Sequence, residues 1–473
     1  MARGYPEPAT EEISSERNVE AQSTFATSTL APDLEKALAL LGIGMGRYQW
    51  FLFLITSVGW FLDSFWITSF VVINPAASEE TMFFFSGDKS AHLPVSLFVG
   101  LTAGAAIFTS TIVLMGMGGL VGAGMPSFTG LCVVGCVVGF AIGGNQLIDG
   151  IILMEFLPAS HQFLIAMQGL FWELGQVVSY AIGWAFIAGY TCGTGPDSVS
   201  TEQALGHGKR DGSGSSSCHY VSNKGWRYVW WTFGCITIFL YLCRFFFPLR
   251  ETPKHLLARR HDAEATQIIR DIAAHNKRQT WLTEASFARV DSTTDIAEAH
   301  PQSQTQALIT SLGPIGFPVL LLLWIITGLT FILHKTYISN YLATHGVPAV
   351  TPESVATDHL FSQYLYTAVC TIPGPITAAL LIEVKGLGRK RTGALIALLT
   401  GLFMFLATLS RSENAALAFN CILSFLELAS LAVLTTYTLE VFPSPVRGLG
   451  LAVMGFSWAW LALPVETRGR AAA

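Results

Sequence analysis

The chain predicts an all-α polytopic membrane protein, and three observations carry that expectation. About ten stretches of roughly 20 or more mostly uncharged residues recur along it, each long enough to cross a ~30 Å hydrocarbon layer as a helix. Hydrophobic residues make up 51% of the sequence and charged ones only 12%, about half the charge of an ordinary soluble domain. The remaining charge lies mostly in clusters between the apolar stretches. A large soluble enzyme with buried core helices is the competing class, but such helices are shorter and amphipathic.

Residues 1–46 are expected to form a disordered cytoplasmic tail. They are polar, acidic and rich in Ser, Thr and Ala to about Leu41, and they lack the basic flank and short apolar core of a cleaved signal peptide. An N-terminal helical half follows over residues 47–248. Its first span, Gln49 to Val72, carries one charge, Asp63. The segments Val95 to Met125, Pro126 to Pro158, Phe163 to Ala188 and Tyr228 to Phe247 complete that half. A central loop is placed at residues 249–312 and a C-terminal helical half at residues 313–473, with apolar spans persisting to Phe442.

Positive charge sets the expected orientation. Arg250, Lys254, Arg259, Arg260, Arg270, Lys277 and Arg278 mark the central loop as cytoplasmic, and Lys385, Arg389, Lys390 and Arg391 form a second inside cluster. The spans near Phe317 to Tyr341 and Leu360 to Ile382 separate the two clusters by an even number of crossings, as this requires. Thr191 to Lys224 then falls outside, where Cys192 and Cys218 either form a disulfide or remain free thiols. The other cysteines lie in apolar spans as small packing residues. The net charge of −5 says little about partners, and no acidic or basic block points to nucleic acid.

The halves echo each other. Met154-Glu155-Phe156-Leu157-Pro158-Ala159-Ser160 closes one apolar span and Leu439-Glu440-Val441-Phe442-Pro443-Ser444-Pro445 closes another. Repeated halves about an axis along the membrane normal are a recurrent transporter design. Gly386-Leu387-Gly388-Arg389-Lys390-Arg391, preceded by Glu383, resembles the second-half signature loop of the major facilitator superfamily. Arg250-Glu251-Thr252-Pro253-Lys254-His255-Leu256-Leu257 resembles the segment that opens the central loop of sugar porters, and Pro464-Val465-Glu466-Thr467-Arg468-Gly469-Arg470 resembles their closing segment. The details around Gly46-Arg47-Tyr48-Gln49-Trp50, Gly143-Gly144-Asn145 with Asp149, and Glu155-Phe156-Leu157-Pro158 look closest to the sugar-porter-like branch that includes synaptic-vesicle-glycoprotein-related transporters. The resemblance runs from about Arg47 to the C-terminus and implies two six-helix halves.

Two segments depart from that pattern. Val95 to Met125 stands in place of the second and third helices but has too few residues for two crossings, which need about 40, and a single crossing breaks the parity of the flanking loops. The first-half signature loop is absent there, since Ala105-Ala106-Ile107-Phe108-Thr109 joins what look like parts of two helices. Leu449 to Leu463 likewise stands in place of the last two helices. Two missing coding segments are the favoured explanation, and a shortened, inactive transporter is the other.

Ionisable residues inside spans are expensive and mark functional candidates. Asp63 lies midway along its span with Trp60, Phe65 and Trp66 nearby. Glu173 and Gln176 lie in the fifth family helix, and Glu427 is a mid-span counterpart in the second half. Trp324, Tyr337, Asn340 and Gln363 add aromatic and amide groups of the kind that hold a polar solute. His334 and Lys335 read as interfacial anchors or as cavity residues. Gating candidates, which pair charges at helix ends or fix topology, are Asp149, Glu155, Glu383, Arg389, Lys390, Glu440 and Arg447, with Glu383 pairing Arg389 or Lys390 and Glu440 pairing Arg447. Pro373-Gly374-Pro375 is expected to break its helix.

The expected function is transport of a small polar solute, sugar-like or an organic ion, by alternating access, with proton coupling through Asp63, Glu173 or Glu427. A non-transporting receptor or binding protein on the same fold, or an inactive truncated form, is the alternative. No metal, phosphate-loop or nucleophile constellation points to an enzyme, and no cofactor is expected. The partners are the lipid bilayer, a small-molecule substrate and protons, for a monomer placed in the plasma membrane ahead of an internal membrane.

Overall fold

The computed structural model describes residues 44–81, 92–104, 111–191, 223–244, 251–253, 256, 262–278, 304–338, 357–443, 446–455 and 457. Among them every long element is helical: α1 (Arg47–Thr81), α2 (His92–Gly104), α3 (Thr111–Ala123), α4 (Phe128–Phe156), α5 (Phe163–Tyr190), α6 (Gly225–Arg244), α7 (Asp262–His275), α8 (Gln304–Ile332), α9 (Thr357–Thr371), α10 (Pro373–Glu383), α11 (Gly388–Ala407) and α12 (Glu413–Val441). A π-turn, Leu333–Ile338, continues α8. Seven helices are long and apolar enough to cross a membrane, with three shorter apolar ones, His92–Leu101, Thr111–Ala123 and Val446–Gly455. Among the described residues this is the architecture of an all-α, multi-pass membrane protein.

The chain divides into two compact units. One comprises Met1–Tyr48 with Glu251–Ala299, the other Gln49–Arg250 with His300–Ala473. In the first, α7 buries Ala265, Ile269, Ile272 and Ala273, the spacing of one helical face. Its C-terminal end receives the chain before the first span: the Tyr48 backbone N–H donates to Asn276 Oδ1 at 3.1 Å, and the Tyr48 and His275 rings meet edge-on. Gly46 permits this approach, because a Cβ there would lie 2.1 Å from the Asn276 side chain. The expected tail lies outside the described residues up to position 43.

In the second unit, the N-terminal half packs around α1. Phe65 stacks on Phe233 of α6 at 3.7 Å, and Trp230 meets Trp66 and Phe70 edge-on. These rings are fully buried and supply most of the apolar area of this core. Helix α2 lies backbone-to-backbone on α4: a Cβ on Gly139 would come within 2.2 Å of the Leu97 carbonyl oxygen, and one on Gly100 within 1.9 Å of that of Cys136. Such small-residue crossings substitute for the hydrophobic drive that lipid removes.

The segment read as too short for two crossings folds as two pieces, α2 and α3, of 13 residues each. At 1.5 Å per residue each is about 20 Å long, short of the hydrocarbon thickness. Both pack on α4, α2 through Gly100 and Gly139 and α3 where Gly118 faces Val138, while Gly119 and Gly122 of α3 also let α6 approach through Gly234 and Trp230. Residues 105–110 between them, and the closing segment after 457, lie outside the described residues, as do Cys192 and Cys218.

In the C-terminal half, α8 is broken at Gly313 (φ 72°, ψ 173°), a backbone conformation that glycine adopts without strain. The expected break at Pro373 is present, since α9 ends at Thr371 and α10 starts at Pro373, where the missing N–H costs nothing at a helix start. A small-residue core of Ala378, Ala379, Ala429 and Val433 joins α10 to α12, and Ala166 of α5 enters it.

Candidate functional site

Helices α5 and α9–α10 carry the contact between the two halves. Near one end Gly169 of α5 faces Pro375. Near the other, Tyr180 stacks on Tyr364 with ring centroids 5.2 Å apart, and Trp184 donates through Nε1 to Asp358 at 2.8 Å. Between these apolar and aromatic contacts sits Glu173, almost fully buried. It accepts a short hydrogen bond from the Thr371 hydroxyl of α9 and another from Gln176 Nε2 at 3.4 Å.

The second half adds charge beside this link. His334 Nδ1 lies 2.9 Å from Glu427 Oε2, both side chains buried. The next residue, Lys335, donates from Nζ to Ser424 Oγ at 2.7 Å and sits in the field of both Glu427 and Glu173. His334 and Lys335 both occupy the π-turn at the end of α8, where the His334 side chain is buried and that of Lys335 is exposed. A π-turn shifts successive side chains relative to α-helical register and recurs at functional sites. Both side chains engage α12, His334 through Glu427 and Lys335 through Ser424.

A separate polar cluster lies within the N-terminal half. Asp63 is fully buried and accepts from Asn145 Nδ2 at 3.0 Å, while its Oδ2 has no hydrogen-bond partner. Asp149 is fully buried one turn further along α4, with Arg244 Nη2 at 3.9 Å. Gly59 makes the space, because a Cβ there would lie 1.6 Å from Asp149 Oδ2. Asp149 thus belongs with Asp63 and Arg244 inside one half.

Other expected residues have different surroundings. Trp66 is a core residue, its Nε1 donating to Thr237 Oγ1 at 2.9 Å among Trp230 and Phe233. Trp324 is likewise fixed, donating to Thr438 Oγ1 at 3.0 Å. Gln363 donates to Glu413 at 2.8 Å. The Tyr337 side chain and Asn340 lie outside the described residues. At the basic-cluster end, Arg389 forks onto Glu440 with Nε–Oε2 2.9 Å and Nη2–Oε1 2.8 Å and lies 3.8 Å from Glu383. The expected Glu440–Arg447 pair is replaced: Arg447 Nε donates to the Phe442 carbonyl at 3.1 Å, and the carboxylate acting on it is Glu155. The planar guanidinium of Arg389 matches a carboxylate bidentately, whereas Lys390 is exposed.

A two-half helical fold, with buried charges at the contact between the halves and an arginine–carboxylate cluster at one end, defines a membrane transporter of the major facilitator superfamily. Residues 100–463 match the family described as Sugar (and other) transporter, and the chain belongs to it. It is 32% identical over 444 residues to MFS siderochrome iron transporter 1 of Ceriporiopsis subvermispora, covering 88% of this chain and 80% of that one. It is 21% identical over 433 residues to the niacin transporter NiaP of Acinetobacter baylyi, covering 86% and 83%. Among solved structures it resembles the proton:xylose symporter XylE bound to 6-bromo-6-deoxy-D-glucose, with a TM-score of 0.60 at 17% identity, covering 88% and 86%.

Proposed function

We propose that this protein moves a small organic ion across the plasma membrane by alternating access, as a monomer and in exchange for or together with protons. The observation that carries the reading is the Glu173–Thr371 link between the halves with Lys335 and Glu427 beside it. Charges buried at the contact of two rigid halves bias their relative state, and a solute that replaces these contacts shifts that equilibrium. Similarity to proteins named for siderochrome iron and niacin transport agrees with a solute other than a simple sugar. Asp63, isolated from the link and beside Asn145, is assigned the coupling proton. The Arg389–Glu440–Glu383 cluster is assigned to closing the basic end.

A non-transporting binding protein on the same fold is the second reading, and the 13-residue α2 and α3 favour it. Counterflow in vesicles separates the two. Protein reconstituted into vesicles preloaded with unlabelled nicotinate is expected to accumulate external labelled nicotinate transiently, whereas a binding protein retains only a stoichiometric amount. The absence of overshoot with nicotinate and with its N-methylated zwitterion would remove the transport reading.

A further inference from the structure

The contact between the halves changes character along α9. Its last residue, Thr371, is hydrogen-bonded to Glu173, whereas the earlier turns carry Asp358, Phe361 and Tyr364. Phe361 is only 4% exposed and, among the described residues, is the one C-terminal-half side chain buried in the aromatic core of the N-terminal half. Its ring enters that core at Gly183 of α5: a Cβ there would lie 3.2 Å from Phe361 Cε1 and 2.4 Å from Val72 Cγ1 of α1. The missing side chain thus leaves a socket between α1 and α5. Tyr364 meets Phe361 edge-on at 6.3 Å and stacks on Tyr180, and the Trp184–Asp358 hydrogen bond ends the row.

We infer that Phe361 is the plug that closes the end opposite the basic cluster, seated in the Gly183 socket, and that a solute passes that end only when the ring withdraws. The inference rests on the transport reading above and deepens it by naming the residues that gate one side of the pathway. A seated phenylalanine keeps on the order of 150 Å² of apolar surface from water. Parting α5 from α9 exposes both ring and socket to the wet pathway that a polar solute needs. The hydrophobic effect therefore favours closure at this end, and no buried ion pair has to be desolvated each time it closes. Two kinds of contact then share the work along one helix pair. The polar Glu173–Thr371 link is the one a solute can replace, and the Phe361 plug is the one that returns the halves to contact once it has passed.

Spin labels at Tyr190→Cys and His359→Cys, in the full chain in lipid nanodiscs with the exposed native cysteines replaced by serine, read this end without any solute. Phe361→Ala is expected to raise the population with the longer separation at least about tenfold relative to the closed one, since emptying the socket forfeits the burial of one aromatic side chain. Asp358→Ala, at an exposed position, is expected to shift the same equilibrium about threefold, the worth of one exposed hydrogen bond. Phe405→Ala removes a phenylalanine of α11 that is 66% exposed, and is expected to leave the distribution unchanged. An unchanged distribution in folded Phe361→Ala, even with a lower melting temperature, or an equal shift in Phe405→Ala, would overturn the inference. If Phe361→Ala does not fold, Asp358→Ala decides alone, and no shift in it overturns the inference. The expected shifts together with absent counterflow in the unsubstituted protein would leave the plug standing and remove the transport reading instead.

Discussion

Asp63→Asn is expected to abolish proton-driven accumulation while leaving solute exchange measurable. A carboxylate in the middle of a span costs about 3 kcal/mol or more unless something compensates, and the neighbouring Asp149 adds a like charge rather than a counter-charge. Here one oxygen is compensated by Asn145 and the other is not. An asparagine fits the same space and can still accept from Asn145 through its own amide oxygen, so packing around α1 and α4 is preserved while the exchangeable proton is lost. In vesicles with an imposed pH gradient, the accumulation ratio is expected to fall to about one, the equilibrium value for an uncoupled carrier, with counterflow retained. Unchanged uphill transport would assign Asp63 to packing and move the coupling proton to Glu173 or Glu427.

The largest stability effect is expected at the α2–α4 crossing. Gly139→Ala places a methyl group 2.2 Å from the Leu97 carbonyl oxygen and 3.0 Å from its carbon, and backbone atoms cannot rotate aside as a side chain would. The helices must separate, forfeiting contacts along α2, for a loss of about 3 kcal/mol, at the upper end of ordinary overpacking. Gly401→Ala is the matched control, since nothing lies within 4 Å of a Cβ there. Alanine at that helix-interior position is expected to be neutral or to stabilise by up to about 1 kcal/mol. Thermal unfolding followed by tryptophan fluorescence distinguishes them. Equal melting temperatures for the two variants would mean that α2 does not bear on α4 as described.

Much of the membrane architecture was legible because apolar length is a strong constraint: the first span and the short segment before Met125 follow from counting residues, and the break at Pro373 from the proline's missing N–H. The pieces within that segment were less legible, since pattern alone does not say that α3 packs on α6 as well as on α4, which it shares with α2. For the candidate site, Glu173 and Glu427 stood out because a carboxylate in a span demands a partner, but the partners did not. Thr371 and Ser424 are ordinary hydroxyl residues in sequence, and a π-turn, which has no simple composition signal, decides where His334 and Lys335 point. Trp66 shows the converse. An indole N–H needs an acceptor when buried, and sequence cannot distinguish Thr237 from a solute as that acceptor. Arg389 and Glu440 were recognised as charged helix ends, yet which arginine met Glu440 depended on tertiary packing across α11 and α12.

Alternating access itself is tested most directly by distances between spin labels on the two halves, in full-length protein in lipid nanodiscs with the exposed native cysteines replaced by serine. One pair, Ser160→Cys with Lys385→Cys, reports the end bearing the basic cluster, and a second, Tyr190→Cys with His359→Cys, reports the opposite end; Ser160, Lys385, Tyr190 and His359 are all exposed. Adding nicotinate is expected to change the two distance distributions in opposite senses, one shortening as the other lengthens. Distributions that stay fixed, or that shift together, would contradict two halves rocking about the Glu173–Thr371 contact.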